Sequence, residues 1–447
     1  MRLLLILFLL ALPLFAVERP NIILMMADDL GWGDVGFNGG EIIHTPELDR
    51  MAETGLVFDR FYSAAPVCSP TRGSCLTGRH PYRYGIYFAN TGHLRASERT
   101  LPEMLGDLGY ATGHFGKWHL GTLLPDWSGK GKGRDPAENH MTPAMAGFDE
   151  WFSTEYSVAT WDPYDPDNQH DGGKFDPRRL FWHNGENVTE PQEGGSARIV
   201  MDRAIPFIEK SVKAGRPVFA AIWFHAPHSP VVGGPEYRKR YSDHPVPHQH
   251  YYACVTELDE QVGRLRMKLR ELGVEENTLL AFCSDNGPAR QGHKEHVGSA
   301  GPLKGFKVSL WEGGIRVPGV IEWPGRIKPG RTEFAAVTSD YLPTIAELVG
   351  VEPLELLDGR SLVPAFDGKL RKRVEPIGFQ SQNQQAWIDG DLKLVKAKGS
   401  KGFQLHDLKA DPGERNDLAA ERPDDVLRMK AALEKWVESC KRSEREE

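Results

Sequence analysis

Three long apolar runs stand out along the chain, and each leads directly into polar residues. They are NIILMMA at 21–27, PVFAAIWFHA at 217–226 and NTLLAFCSDNG at 277–287. Because their apolar positions are continuous and do not alternate with polar ones, each run predicts a strand that is buried on both faces, as in parallel sheets.

Helical patterns lie between these runs. Residues 100–109 begin with a capping box formed by Thr100 and Glu103, and residues 251–273 follow an amphipathic pattern that ends at Gly273. The alternation of strands and helices predicts an α/β fold, with a large mixed, mostly parallel sheet between layers of helices. Residues 127–193 are rich in Gly, Pro, Asp, Asn and His, so we predict long surface loops there.

The pattern changes after about residue 358. Residues 385–396, QAWIDGDLKLVK, predict a hairpin with Asp389-Gly390 at its turn, and the charged residues from Pro423 onward predict a final helix. We therefore predict a catalytic domain at 17–357, followed at 358–447 by a small C-terminal α+β subdomain with a small antiparallel sheet and a terminal helix.

The first 16 residues, MRLLLILFLLALPLFA, join one arginine to an apolar run that ends in a small residue. This pattern predicts a secretory signal peptide at 1–16, with a retained membrane anchor as the alternative. No later stretch has the ~20 consecutive apolar residues that a membrane span needs, so we expect no stable anchor and an exported protein, periplasmic or secreted. The net charge of -8 argues against a nucleic-acid partner.

The five cysteines are too few and too scattered for a disulfide framework. Cys254 and Cys283 sit in apolar segments, which is typical of buried core thiols. Cys68 differs, because Ser69, Pro70 and Arg72 surround it.

Polar side chains follow the predicted strands where ligands bind in open α/β sheets. Asp28 and Asp29 follow the first strand, and Asp285 and Asn286 follow the third. Adjacent carboxylates repel one another unless a cation lies between them, and an all-oxygen set suits calcium before magnesium. The alternative is that Asp28 and Asp29 merely cap the turn that follows.

Basic residues accompany this set. The segment GHFGKWHLG at 113–121 supplies Lys117 and His119, and GPLKGFKVSLWEGGIRVP at 301–318 supplies Lys304 and Lys307. Lysines near a dication suit a tetrahedral oxyanion, although lysines on loops are more often simply solvated. Together with Cys68, these groups predict the transfer of a phosphoryl or sulfuryl group, and the residue types alone leave both open.

The segment CSPTRGSCLTGR at 68–79 resembles the signature of formylglycine-dependent sulfatases, in which Cys-x-Pro-x-Arg precedes Leu-Thr-Gly-Arg. MADDLGWGDVG, GKWHLG, HAPHSP, SDNGP, EGGIRVP and DLKADPGERNDLA resemble further sulfatase segments in the order of that family. The resemblance covers nearly the whole mature chain and is nearest to the arylsulfatase and N-acetylgalactosamine-6-sulfatase branch. It implies an alkaline-phosphatase-like fold.

The resemblance also implies a mechanism. A dedicated maturation enzyme would oxidise Cys68 to formylglycine, whose hydrate has two hydroxyls: one attacks sulfur to give a sulfo-enzyme intermediate, and the other expels sulfate. Position by position, the family implies one calcium per chain, bound by Asp28, Asp29, Asp285, Asn286 and residue 68. It implies roles at the diol for Arg72 and His119, and contacts with the sulfate from Lys117, His225 and Lys307. His225 is the implied acid for the leaving group, and Lys304 is a weaker rival to Lys307.

The expected substrates are sulfated polysaccharides or glycosaminoglycan fragments. Aromatic and imidazole side chains on polar segments suit a sugar ring, and the candidates are His228, His170, Trp182 and His296. Two alternatives remain: a phosphate or phosphonate monoesterase on the same scaffold, and a non-catalytic calcium-dependent protein that binds sulfated glycans.

Overall fold

The computed structural model describes residues 19–126, 136–163, 180–289, 297–352, 356–369 and 372–446. Its strands are β1 (Asn21–Ala27), β2 (Leu56–Phe58), β3 (Phe61–Tyr62), β4 (Ala111–Lys117), β5 (Glu150–Thr154), β6 (Trp182–His183), β7 (Glu186–Asn187), β8 (Val218–Trp223), β9 (Thr278–Ser284), β10 (Arg316–Val317), β11 (Gly319–Glu322), β12 (Gly330–Thr332), β13 (Ala336–Val337), β14 (Ile377–Ser381), β15 (Gln384–Asp389), β16 (Leu392–Lys396) and β17 (Gln404–Asp407).

Helices alternate with these strands over most of the chain. They are α1 (Pro46–Thr54), α2 (Cys68–Thr77), α3 (Leu101–Asp107), α4 (Pro136–Asn139), α5 (Ser196–Lys213), α6 (Pro235–Arg238), α7 (Val246–Glu271), α8 (Glu312–Ile315), α9 (Tyr341–Val349), α10 (Val363–Phe366) and α11 (Pro423–Glu446). Among the described residues, none of these helices combines the length and the apolar character needed to cross a membrane.

The main sheet has ten strands within the described residues, in the order β12-β2-β11-β9-β1-β8-β4-β5-β6-β7. The neighbours from β9 to β5 are parallel, whereas β11 is antiparallel to both β9 and β2, and β6 and β7 form an antiparallel edge. The predicted mixed, mostly parallel sheet is therefore confirmed, and the three predicted buried strands are β9, β1 and β8 at its centre.

The two faces of this sheet belong to separate apolar cores. Ile22 and Leu24 of β1 face one core, which includes residues of α3, α9 and α10, whereas Ile23 and Met25 face the other, which includes residues of α1, α5 and α7. Successive side chains of a strand point to opposite faces, so continuous apolar sequence is what a sheet covered on both sides requires.

Some element boundaries differ from the sequence predictions. The capping box of Thr100 and Glu103 is present at the start of α3, but α7 begins at Val246, before its predicted start. The prediction of loops throughout 127–193 is wrong for α4, β6 and β7, and above all for β5, whose Trp151 and Phe152 are buried beside β4. This strand is only five residues long, and the turn-forming residues around it conceal its pattern.

The C-terminal region folds into the predicted small antiparallel sheet, in the order β14-β15-β16-β17. One face packs Phe379 against Tyr62 of the main body, and the other packs Leu394 against Leu433 of α11. The predicted hairpin is present, but its turn is one residue later: β15 ends at Asp389, and Gly390 adopts a φ of 61°. The boundary at 357/358 stays a prediction.

Candidate active site

The carboxyl ends of the central strands bring the polar residues of the sequence together. Asp28 and Asp29 follow β1, Asp285 and Asn286 follow β9, and Lys117 is the last residue of β4. Parallel neighbours end at the same edge of a sheet, so these side chains share one rim. The first residue of α2, Cys68, enters the same rim.

Oxygen, nitrogen and sulfur atoms converge at this rim. One potential ligand atom from each of Asp28, Asp29, Cys68 and His228 lies within 4.8 Å of each of the other three. Asn286 donates its Nδ2 to Oδ1 of Asp29 at 2.7 Å. The backbone N–H of Asp29 donates to Oδ1 of Asp285 at 3.1 Å. The four predicted metal-binding oxygen residues are therefore mutual neighbours.

The donor set fits a hard divalent cation. Oδ1 of Asp28 and Oδ1 of Asn286 are buried and have no hydrogen-bond partner among the described residues. A buried oxygen without a partner is unfavourable unless a cation or a donor satisfies it. The neighbouring carboxylates of Asp28 and Asp29 also repel each other unless positive charge lies between them. Ca²⁺ and Mg²⁺ prefer oxygen ligands of this kind.

Three cationic side chains surround the carboxylates. Lys117 donates to Oδ2 of Asp28 at 2.6 Å, and Arg72 donates to Oδ2 of Asp285 at 2.7 Å. Burial alone would raise the pKa of Asp28, but Lys117 and the other nearby cations together hold it well below its usual range. Burial and repulsion from Asp28 instead raise the pKa of Asp285 to about 7.

Lys307 completes this ring of charges. Its Nζ donates to Oδ1 of Asp29 at 2.6 Å. Burial would lower the pKa of Lys307, but Asp29 and the other anionic groups raise it above its usual value, so Lys307 is a cation. The competing candidate, Lys304, lies elsewhere: its Nζ is 3.6 Å from the ring centre of Trp311. The geometry therefore favours Lys307 over Lys304 for this rim.

A cavity of about 320 Å³ opens above the cluster. Five of the predicted residues line it, namely Cys68, Lys117, His119, His228 and Lys307, and the other polar side chains that line it are Asn90, Tyr156, Ser157 and Ser229. Burial raises the pKa of the Cys68 thiol above its usual value. An unmodified Cys68 is thus a neutral thiol here, which is a weak nucleophile.

Asn90 and Ser157 were missed by the sequence analysis. Oδ1 of Asn90 lies 2.7 Å from Nε2 of His119, and Ser157 donates its hydroxyl to Oδ2 of Asp28 at 3.1 Å. Both residues lie on irregular segments with no chemical motif around them. Only the positive φ of Asn90, 60°, marks it as unusual, and no sequence pattern shows that.

His225 is placed differently from the other candidates. It is fully buried behind the cavity, and its Nε2 lies 2.8 Å from Oγ1 of Thr154. Burial lowers the pKa of His225 to about 3, so the ring is neutral. Its contact with the edge of the Phe181 ring adds to the packing around it.

Of the remaining sugar-side candidates, only Trp182 lies among the described residues, and it does not line the cavity. Trp182 lies on β6 and packs against one of the two main cores. His170 and His296 lie outside the described residues.

The rim combines an acidic cluster that fits a divalent cation with lysines and an arginine. This combination is suited to a hydrolase that acts on the ester of a tetrahedral oxyanion. Comparisons with known proteins identify the family. The sulfatase family model matches residues 20–351. N-acetylgalactosamine-6-sulfatase of Canis lupus familiaris is 34% identical over 383 residues, which cover 79% of this chain and 67% of that protein.

Two further relatives agree. Arylsulfatase G of Mus musculus is 33% identical over 422 residues, covering 87% of this chain and 76% of that protein. The crystal structure of Ps i-CgsB in complex with k-i-k-neocarrahexaose has a TM-score of 0.84 and 30% identity, covering 94% of this chain and 93% of that one. The chain belongs to the sulfatase family and is a sulfuric ester hydrolase.

Proposed function

We propose that this enzyme removes sulfate from carbohydrates, using a formylglycine formed from Cys68. The observation that carries the proposal is the position of Cys68, at the amino end of α2 and beside two carboxylates within reach of one cation. The helix N-terminus and the nearby lysines favour negative charge at this point, as the attack on a sulfate ester requires.

The proposed roles follow from the contacts. Lys117 and Lys307 line the cavity and would bind the sulfate oxygens. Arg72 lies one helical turn after Cys68, so it faces the same side of α2 and holds Asp285. Asp28, Asp29, Asp285, Asn286 and residue 68 would hold one Ca²⁺, which would neutralise charge on the sulfate and on the nucleophile.

Among the described residues, the imidazoles that line the cavity are those of His119 and His228. His119 stays the candidate for the diol, with Asn90 fixing its ring. The role of His225 as the acid for the leaving group is untested. Burial lowers the pKa of His228 to about 4 and that of His225 to about 3, so the two rings differ mainly in position. Because His228 lines the cavity and His225 does not, the geometry favours His228 for that proton transfer.

The relatives support a sulfated carbohydrate as the substrate. One is an N-acetylgalactosamine-6-sulfatase, and another was solved with k-i-k-neocarrahexaose. We propose sulfated polysaccharides or glycosaminoglycan fragments for this chain. We also propose export to the periplasm or the medium after removal of residues 1–16, which lie outside the described residues, and oxidation of Cys68 by a formylglycine-generating enzyme.

Peptide mass spectrometry across residues 68–79, on protein from a host that matures a control sulfatase, tests the nucleophile. We expect Cys68 to have lost its sulfur and to carry a trappable aldehyde. The matured enzyme is then assayed on N-acetylgalactosamine 6-sulfate, sulfated carrageenan oligosaccharides and matched phosphate esters. An unmodified thiol in active enzyme would refute the formylglycine mechanism, and faster release of phosphate than of sulfate would refute the proposed substrate class.

A further inference from the structure

The loop that carries Lys307 contains a strained residue. Val308 has a φ of 75°, in the left-handed region that a β-branched residue rarely adopts. Such a conformation persists only where surrounding contacts impose it. Two of these contacts come from the main body: Lys307 N–H donates to the carbonyl of Pro288 at 3.1 Å, and Val308 N–H donates to the carbonyl of Pro66 at 2.8 Å.

A third contact comes from the C-terminal subdomain. Gln384, the first residue of β15, is 2% exposed and lies on the face of the small sheet that packs against the main body. Its Nε2 donates to the carbonyl of Val308 at 2.7 Å, and its Oε1 accepts from the backbone N–H of Leu310 at 3.2 Å. One amide therefore bridges two peptide groups directly after Lys307.

The orientation of this amide is fixed by its partners. Oε1 of Gln384 also accepts from the backbone N–H of Lys398 at 3.0 Å. If the amide were rotated by half a turn, its NH₂ group would face two donors and its oxygen would face the carbonyl of Val308. The side chain is thus matched to this loop in one orientation only, as a buried polar group should be.

We propose that Gln384 is a positioning residue that holds Lys307 in the active site. Lys307 reaches the cavity and Oδ1 of Asp29 from the residue next to Val308, so a shift at Val308 moves the base of that side chain. The C-terminal subdomain thereby contributes to sulfate binding although Gln384 does not line the cavity. This inference rests on the proposed role of Lys307 as a sulfate-binding residue.

The variant Gln384→Glu isolates the contact with Val308. The substitution keeps the size of the side chain and an oxygen for Leu310 and Lys398, but it replaces the donor to Val308 with a second carboxylate oxygen. Gln384→Ala removes the amide altogether and is measured in place of Gln384→Glu if the glutamate variant does not fold. Gln385→Glu is the matched control, because the next residue of β15 points to the opposite face of the small sheet.

Two measurements on fully matured protein test the proposal: the Kd of inorganic sulfate by calorimetry, and kcat and KM with 4-nitrophenyl sulfate. We expect Gln384→Glu to weaken sulfate binding and to raise KM, each roughly tenfold, as misplacement of a binding group does. Gln385→Glu should leave both within twofold. A purely structural role would lower the melting temperature and the active fraction but would not move Kd or KM.

A double-mutant cycle with Lys307→Ala completes the test. If Gln384 acts through Lys307, Gln384→Glu should change the sulfate Kd less than twofold in the Lys307→Ala background. Full additivity, or an unchanged Kd in Gln384→Glu while Lys307→Ala weakens binding, overturns the positioning proposal. If Lys307→Ala itself leaves sulfate binding unchanged, the proposed role of Lys307 is wrong instead.

Discussion

A buried ion triad joins the small sheet to the segment that follows Lys307, and it yields a sharp test of stability. Nζ of Lys393, on β16, lies 2.9 Å from Oε1 of Glu312 and 2.9 Å from Oε1 of Glu414, and none of the three side chains is exposed. The backbone N–H of Glu312 also donates to Oε2 of Glu414 at 2.6 Å. Lys393→Met keeps the apolar stem and removes the charge.

The loss of stability in Lys393→Met should be large because the buried carboxylates of Glu312 and Glu414 would remain without the lysine. Removing one partner of a buried ion pair destabilises a protein by about 3–5 kcal/mol. The entropy of unfolding, about 2.1 cal/mol/K per residue, gives roughly 0.9 kcal/mol/K for 447 residues. We therefore expect the melting temperature of Lys393→Met to fall by about 3–5 °C.

The destabilisation caused by Lys393→Met should also depend on pH. Burial and repulsion from Glu312 raise the pKa of Glu414 to about 7 even with Lys393 present, and removing Lys393 raises it further. A carboxyl whose pKa is higher in the folded state stabilises below its unfolded pKa, near 4.5, and loses that contribution as the pH rises through the folded pKa. Lys393→Met should therefore be more destabilised at pH 8 than at pH 5.

Differential scanning fluorimetry at both pH values measures this effect. Lys396→Met on the same strand is the control, and we expect a shift below 1 °C because Lys396 is only half-buried and lies outside the triad. Lys393→Met/Glu414→Gln should recover part of the loss at pH 8. A Lys393→Met protein that melts within 1 °C of wild type at pH 8 would refute the reasoning.

Three further predictions concern other buried groups. Burial raises the pKa of Glu257 to about 8, so this one carboxyl should contribute a loss of stability of about 1.4 kcal/mol per pH unit as the pH rises from 5 to 8. The melting temperature of Glu257→Gln should therefore fall less steeply than that of wild type over that range. Asn286→Ala removes a buried oxygen that has no hydrogen-bond partner among the described residues. It should weaken the binding of Ca²⁺ to chelator-treated protein at least tenfold, measured by calorimetry, and an unchanged affinity would contradict the metal assignment. Asp358, whose side chain is 14% exposed, accepts from Nε of the buried Arg83 at 2.6 Å. Asp358→Ala should cost about 3 kcal/mol in denaturant unfolding because it leaves the Arg83 charge without this partner, and a loss below 1 kcal/mol would contradict that reasoning.

The central sheet and the position of the acidic cluster could be predicted because one physical rule governs both. A strand buried on two faces has a continuous apolar sequence, and the first polar residues after it lie at the rim of the sheet. Asp28 follows β1 directly, and Asp285 follows β9 directly. The position of each of these carboxylates therefore depends on local sequence and on the parallel sheet that the alternation of elements predicts.

That rule does not predict which of the two histidines after β8 faces the cavity. His225 and His228 both follow β8, within six residues of its end, yet only His228 lines the cavity. The chain turns between them, and His228 N–H donates to the carbonyl of His225 at 2.9 Å. Which ring faces the cavity depends on this turn and on Thr154 of a different strand, so residue type and spacing do not decide it.

Backbone strain shows why the local conformations at the site could not be predicted, even where the residues themselves, such as Asp29 and His119, were. Asp29, His119 and Val308 all have positive φ although none is glycine. Distant segments hold each one: Asp29 N–H donates to Asp285, His119 N–H to the carbonyl of Glu155, and Val308 N–H to the carbonyl of Pro66. Local propensity opposes these conformations, so they form only when the strand ends and loops have assembled. The rim that we propose as the sulfate-binding site is thus a product of tertiary contacts, and the residues that shape it, such as Asn90 and Gln384, carry no signal in their own neighbourhoods.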